Sequence, residues 1–97
     1  MSLTGKQRHF LRGLAHHSKP IVTLGDAGAT ASVMAEIEQA LDHHELVKLK
    51  LRVGDRQARR EALEKICGET KADAVQEIGQ MAVIYRPGKD PKIKLPA

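Results

Sequence analysis

Lys19-Pro-Ile-Val-Thr-Leu-Gly-Asp-Ala-Gly-Ala-Thr30 reads as a short apolar strand, a glycine-bracketed loop and the start of a helix. Ile21 to Leu24 is apolar and partly β-branched, as a buried strand requires. Gly25 and Gly28 bracket Asp26 and Ala27, and glycine lets a loop take positive φ and come close to a ligand with no Cβ in the way. Thr30 stands where a helix N-cap belongs. A strand that feeds a G-x-x-G loop and then a helix N-terminus presents backbone N–H groups and a positive dipole end, which suits a phosphate.

Outward from this stretch, Ala31 to about His44 predicts a second helix, burying Val33, Met34, Ile37, Ala40 and Leu41 and exposing Glu36, Glu38 and Asp42. Leu46 to Val53 alternates strictly, with Val47, Leu49, Leu51 and Val53 on one side and Lys48, Lys50 and Arg52 on the other. That is a half-buried strand with a basic outer face. Asp55 is the expected N-cap of a third helix whose buried stripe holds Ala62, Leu63, Ile66, Cys67 and Thr70. Ala74 to Ile78 and Met81 to Arg86 follow as strands, joined at Gly79-Gln80 by a two-residue turn of type II′. Upstream, Thr4 and Gln7 form a capping box before a first helix whose apolar stripe holds Phe10, Leu11, Leu14 and Ala15. Its opposite side carries Arg8, His9, Arg12 and His16, with Lys6 on one flank and no acid.

The order is α-β-α-β-α-β-β, an α/β fold. Strands separated by helices are expected to pair in parallel, and the final hairpin adds an antiparallel strand, giving a mixed four-stranded sheet. Helices packed mainly on one face make it a two-layer sandwich.

The 97 residues suffice for a single domain, 1–97, in which 87–97 is a short basic tail. Sixteen Lys and Arg against twelve Asp and Glu give a net charge of +4, a moderate bias towards a polyanionic partner. The charge is segregated: Met1 to Leu24 has Lys6, Arg8, Arg12 and Lys19 with no acid, and Gly25 to His44 has four acids with no Lys or Arg. The single cysteine, Cys67, excludes an internal disulfide and lies on a helical stripe, so a buried structural thiol is expected rather than a nucleophile. No signal region and no apolar run near the ~20 residues of a membrane span are present, so a soluble, cytoplasmic protein is expected; a monomer is a separate expectation. The five histidines show no metal-ligand spacing, and no nucleophile elbow, P-loop lysine or zincin motif points to catalysis, a cofactor or a small-molecule substrate.

Leu-Thr-Gly-Lys-Gln-Arg-His-Phe-Leu-Arg-Gly-Leu-Ala-His at the N-terminus, Lys-Pro-Ile-Val-x-Leu-Gly-x-x-Gly after it, Glu-Ile-Glu-Gln-Ala-Leu-Asp-His-His-Glu-Leu-Val-Lys and the closing Ile-Tyr-Arg-Pro together resemble the YhbY family. That family is the stand-alone bacterial form of the CRM domain, named for chloroplast RNA splicing and ribosome maturation. The resemblance runs from Leu3 to Pro96 and implies a fold similar to the C-terminal domain of bacterial translation initiation factor three. It implies a non-catalytic RNA-binding protein, associated with large-subunit ribosomal precursors and ribosome assembly. The candidate RNA-binding residues are then Lys6, Arg8, Arg12, Lys19, Gly25, Asp26, Ala27, Gly28, Lys48, Lys50, Arg52 and Arg86. Asp26 and Ala29 depart from the family pattern, the first placing a carboxylate in the loop. With Phe10 and Tyr85 the only aromatics, and Phe10 assigned to the core, recognition is expected to run through backbone phosphates and 2′-OH groups of structured RNA rather than base stacking. Two other readings stand beside it: a protein-binding adaptor using Glu36, Glu38 and Asp42, and a general nucleic-acid-binding module.

Overall fold

A computed structural model describes residues 3–97. Its elements are α1 (Gly5–Ala15), β1 (Val22–Leu24), α2 (Ala31–His44), β2 (Leu46–Leu51), α3 (Arg56–Thr70), β3 (Asp73–Ile78) and β4 (Met81–Tyr85). Each helix begins at the residue whose side chain can satisfy a free first-turn amide. Thr4 Oγ1 accepts from Gln7 N at 3.1 Å while Gln7 Oε1 accepts from Thr4 N at 3.0 Å, completing the capping box. Thr30 accepts from Val33 N at 3.2 Å and Asp55 from Ala58 N at 2.9 Å. In the hairpin Gly79 has φ +56 while Gln80 does not share the positive φ, the pattern that a type II′ turn needs.

The sheet order is β1-β2-β4-β3. β1 and β2 pair in parallel, Val22 opposite Leu49 and Leu24 opposite Leu51. The expected parallel pairing of neighbours does not extend to β2 and β3, because β4 lies between them and is antiparallel to both. Side-chain chemistry explains the choice. Ala82, Val83, Ile84 and Tyr85 are all buried, so β4 is apolar on both faces and belongs inside the sheet. β3 carries Asp73, Gln76 and Glu77, exposes Ile78 and is irregular between Ala74 and Gln76, as an edge strand tolerates.

One sheet face packs against α2 and α3, joining Val22, Leu24, Val47, Leu49, Leu51, Ala82 and Ile84 to Ile37, Leu41, Leu63 and Ile66. This is the two-layer sandwich read from the sequence. The other face is not bare, however: α1 and residues of the C-terminal tail cover one end of it, with Leu3, Leu11, Ala15, Val75, Val83 and Tyr85 buried together and Leu46, Ile93 and Leu95 against them. Phe10 is not part of this core, contrary to the expectation. Leu11 and Ala15, one turn apart, set the inward direction of α1, and Phe10 falls about 100° round the helix at 37 % exposure, with Leu14 beside it at 46 %. Tyr85 is fully buried.

The tail is integral to the fold rather than an appendage. α2 ends at Glu45, a non-glycine residue with φ +62, whose side chain is only 2 % exposed. Its carboxylate accepts from Gly88 N at 2.6 Å and from Lys92 N and Ile93 N at 3.0 Å each. Burial opposes ionisation here, but the three amides and the Lys92 charge outweigh it and hold the carboxyl below its ordinary range. Gln7 Nε2 donates to the Pro96 carbonyl at 3.1 Å, closing the tail onto α1.

Candidate nucleic-acid interface

α1 and the tail sit over the Tyr85 end of their sheet face, and the end towards Lys50 is left open. By register this open end presents Thr23 of β1, Lys48 and Lys50 of β2, Met81 of β4, and Gln76 and Ile78 of β3, with buried Val83 at its inner margin. These residues include two cations and no carboxylate. A groove of about 230 Å³ crosses it, lined by His16, Lys48, Gln76, Ile78, Met81 and Val83. Lys48 Nζ donates to the Ser18 carbonyl at 2.9 Å, tying β2 to the segment that leaves α1. Lys50 has no such tie. Arg52 continues the same alternation one step past β2, exposed, its backbone N–H bonded to the Leu24 carbonyl at 2.9 Å.

Directly beyond Leu24 comes the glycine loop. Gly28 takes φ +73 and its N–H closes a turn on the Gly25 carbonyl at 2.9 Å; Thr30 N donates to the Gly28 carbonyl at 3.0 Å. Two amides of the expected phosphate cradle are therefore engaged within the loop, and those of Asp26, Ala27 and Ala29 lie outside these bonds. Gly25 uses no positive φ, and a Cβ built on it meets nothing within 4 Å. Neither backbone conformation nor internal packing calls for glycine there. Lys65 of α3 holds the loop from behind, donating to the Ala29 carbonyl at 3.3 Å.

The remaining candidates divide into free and engaged cations. Lys6, Arg12 and Lys19 are exposed. Arg8 is half-buried and donates to the Ala74 carbonyl at 3.2 Å and the Leu3 carbonyl at 3.3 Å, so it fastens α1 to β3. Arg86 is engaged on the helical side: its guanidinium meets Glu38 Oε2 and Asp42 Oδ1, each at 2.9 Å, and the Thr70 carbonyl at 2.8 Å. This network joins the end of β4 to α2 and α3. It also neutralises two of the three carboxylates on the acidic face of α2, leaving Glu36 without such a partner among the described residues. Three cations that the sequence reading passed over, Arg56, Arg59 and Arg60, lie at the start of α3.

No group of three or more His, Cys, Asp or Glu side chains among the described residues is placed to hold a metal ion. Burial, reinforced by Asp73, pushes the Cys67 thiol up to about 11, so it stays protonated and unreactive at neutral pH. No described helix is long and apolar enough to cross a membrane.

Comparison with known proteins adds three findings. A family described as the CRS1 / YhbY (CRM) domain matches residues 3–86. A Haemophilus influenzae protein named "RNA-binding protein" is 50 % identical over 95 residues, covering 98 % of this chain and 96 % of its own; a Bacillus subtilis protein named a probable RNA-binding protein is 35 % identical, covering 97 % and 99 %. The solution structure of a Staphylococcus aureus protein described as "a putative RNA binding protein" superposes with a TM-score of 0.85 at 36 % identity, covering 98 % of this chain and 100 % of that one.

Proposed function

From the premise that the chain belongs to the CRS1/YhbY (CRM) domain family, we propose that it is a non-catalytic protein that binds structured ribosomal RNA in large-subunit precursors and assists their assembly. The observation that carries the reading is the half-open sheet face, where Lys48 and Lys50 stand without a carboxylate and lead through Arg52 to the Gly25–Gly28 loop. A basic, flat, non-aromatic surface favours phosphates and 2′-OH groups over splayed bases. The homologues named for RNA binding point the same way. The adaptor reading is weakened by Arg86, which occupies Glu38 and Asp42.

The test is a sucrose gradient of a low-salt lysate. The protein is expected to travel with large-subunit precursors, and Arg12→Glu with Lys19→Glu, both at exposed positions, is expected to release it with folding intact. A protein that stays at the top of the gradient overturns the ribosomal reading.

The loop supplies a second, smaller prediction. A carboxylate ~4 Å from a phosphate costs about 1 kcal/mol even at the dielectric of water. Asp26→Lys is therefore expected to raise RNA affinity severalfold, and Gly25→Ala, whose Cβ meets no protein atom, to lower affinity while leaving the melting temperature unchanged. Filter binding and thermal melts read both, and unchanged affinity in the two variants means that the loop stands away from the RNA.

A further inference from the structure

Residues 56, 59 and 60 are spaced i, i+3 and i+4, which brings their side chains to one face of α3. There Arg56, Arg59 and Arg60 line a pocket of about 290 Å³ together with Glu77 of β3 and Gly79 of the hairpin turn. The balance of charge in it is lopsided. Glu77 Oε1 lies 3.9 Å from Arg60 Nε, a long contact to a side chain that is 61 % exposed. Asp55 uses one carboxylate oxygen to cap α3, and Glu64 lines an adjoining hollow with Arg60 and Glu77, so the three arginines still outnumber the one carboxylate inside the pocket. Arg59 is the more telling member: its Nε is shielded from solvent and is the single buried side-chain nitrogen or oxygen without a hydrogen-bond partner among the described residues. Buried donors on charged groups are almost always paired, because an unmade bond there forfeits the full desolvation cost. The Nε is shielded by protein, and no protein acceptor compensates this guanidinium, which leaves its terminal nitrogens to an acceptor from outside.

We propose that this pocket is a phosphate-binding site in which the guanidinium groups of Arg56, Arg59 and Arg60 converge on one tetrahedral anion. Planar guanidinium forks match phosphate oxygens, and a group with three acceptor oxygens and up to two negative charges can engage three of them at once. A single carboxylate satisfies one arginine. Two sources share the anionic P–O groups that guanidinium forks recognise: inorganic phosphate, with at least three such oxygens and up to two charges, and a phosphodiester of an RNA backbone, with two such oxygens and one charge. The second rests on the RNA-binding reading and is favoured by placement: Gln80 O accepts from Leu51 N, and Met81 pairs with Lys50, so the hairpin turn stands at the same end of the sheet as Arg52 and the glycine loop. An RNA lying across the open face would pass over the strand ends towards this pocket.

Arginine side-chain NMR on the full ¹⁵N-labelled chain tests the site through the Arg59 Nε–Hε resonance. Titration with inorganic phosphate is expected to move that resonance downfield and to saturate, with affinity lowered about threefold or more in Arg56→Gln, an exposed position whose change leaves the core untouched. A structured RNA hairpin is titrated separately. A shift of Arg59 with both ligands supports the pocket with a backbone phosphodiester as its source. If phosphate moves Arg59 while RNA moves only the Thr23 and Lys50 amides, the pocket stands as a free-phosphate site. An Arg59 resonance indifferent to both ligands in the folded protein overturns the pocket. The RNA-binding reading fails on its own terms if RNA moves no resonance of the open sheet face, and the phosphate arm still decides the pocket.

Discussion

Glu45→Gln is expected to lower the unfolding free energy by about 3 kcal/mol, a large share of the ~5–15 kcal/mol that holds a domain of this size together. The two carboxylate oxygens accept three backbone amides, from Gly88, Lys92 and Ile93, in a site shut off from water. Glutamine keeps one acceptor oxygen and turns an NH₂ towards donors, so at least one amide is left unpaired and charge assistance is lost throughout. Urea unfolding reads the loss, and hydrogen exchange at the three amides locates it. Glu45→Gly separates the carboxylate from the backbone: it relieves φ +62 yet is still expected to destabilise, because the tail loses its anchor. The pH dependence has a fixed sign. The folded carboxyl titrates below its ordinary value of 4.5, so between the two values the unfolded chain binds more protons. The contribution of Glu45 is therefore complete above the ordinary range and fades as pH falls through the folded value, and Glu45→Gln removes that part of the acid sensitivity. Unchanged stability in both variants means that the tail's bonds contribute nothing net.

Lys50→Glu with Arg52→Glu is the second large effect, expected to weaken structured-RNA binding about a hundredfold at low salt. Each reversal turns a cation–phosphate attraction into a comparable repulsion, about tenfold per position. The salt dependence is the sharper readout. Each phosphate contact contributes roughly 0.7 to 0.9 to the slope of log affinity against log salt, so the double variant is expected to flatten that slope by about 1.4 to 1.8. Lys50 and Arg52 make no side-chain hydrogen bond or ion pair among the described residues, so thermal stability is expected to be retained. A full loss of slope with the wild-type fold intact would place all of the binding here; an unaltered slope would remove the sheet face from the interface.

Helix limits were legible in the sequence because they rest on local chemistry, in Thr4 with Gln7, Thr30 and Asp55, and the basic side of β2 because its alternation is strict. The place of β4 was also written there, in Met-Ala-Val-Ile-Tyr, a run apolar on both faces; the expectation that strands separated by helices pair in parallel left no room for it between β2 and β3. The inward direction of α1 was not legible, since Phe10 and Leu11 fit a helical stripe equally well until the tail and Leu3 dock. Nor was the fate of the cations. Arg8, Arg86 and Lys50 look alike in sequence, yet two are engaged with carbonyls or carboxylates from distant segments and one stays available. The arginines of α3 carried a visible i, i+3, i+4 signal, hidden by the mixed charge of the helix around them.

One of the two inner strands of the sheet, β4, is the last of the four along the sequence, and this sets an order of events during synthesis. Until residue 85 has left the ribosomal tunnel, β2 keeps an open edge, and β3 has no neighbour to pair with. The tail amides that Glu45 awaits come later still. Both cores draw residues from β4, so neither core nor the sheet is complete until that strand is in place.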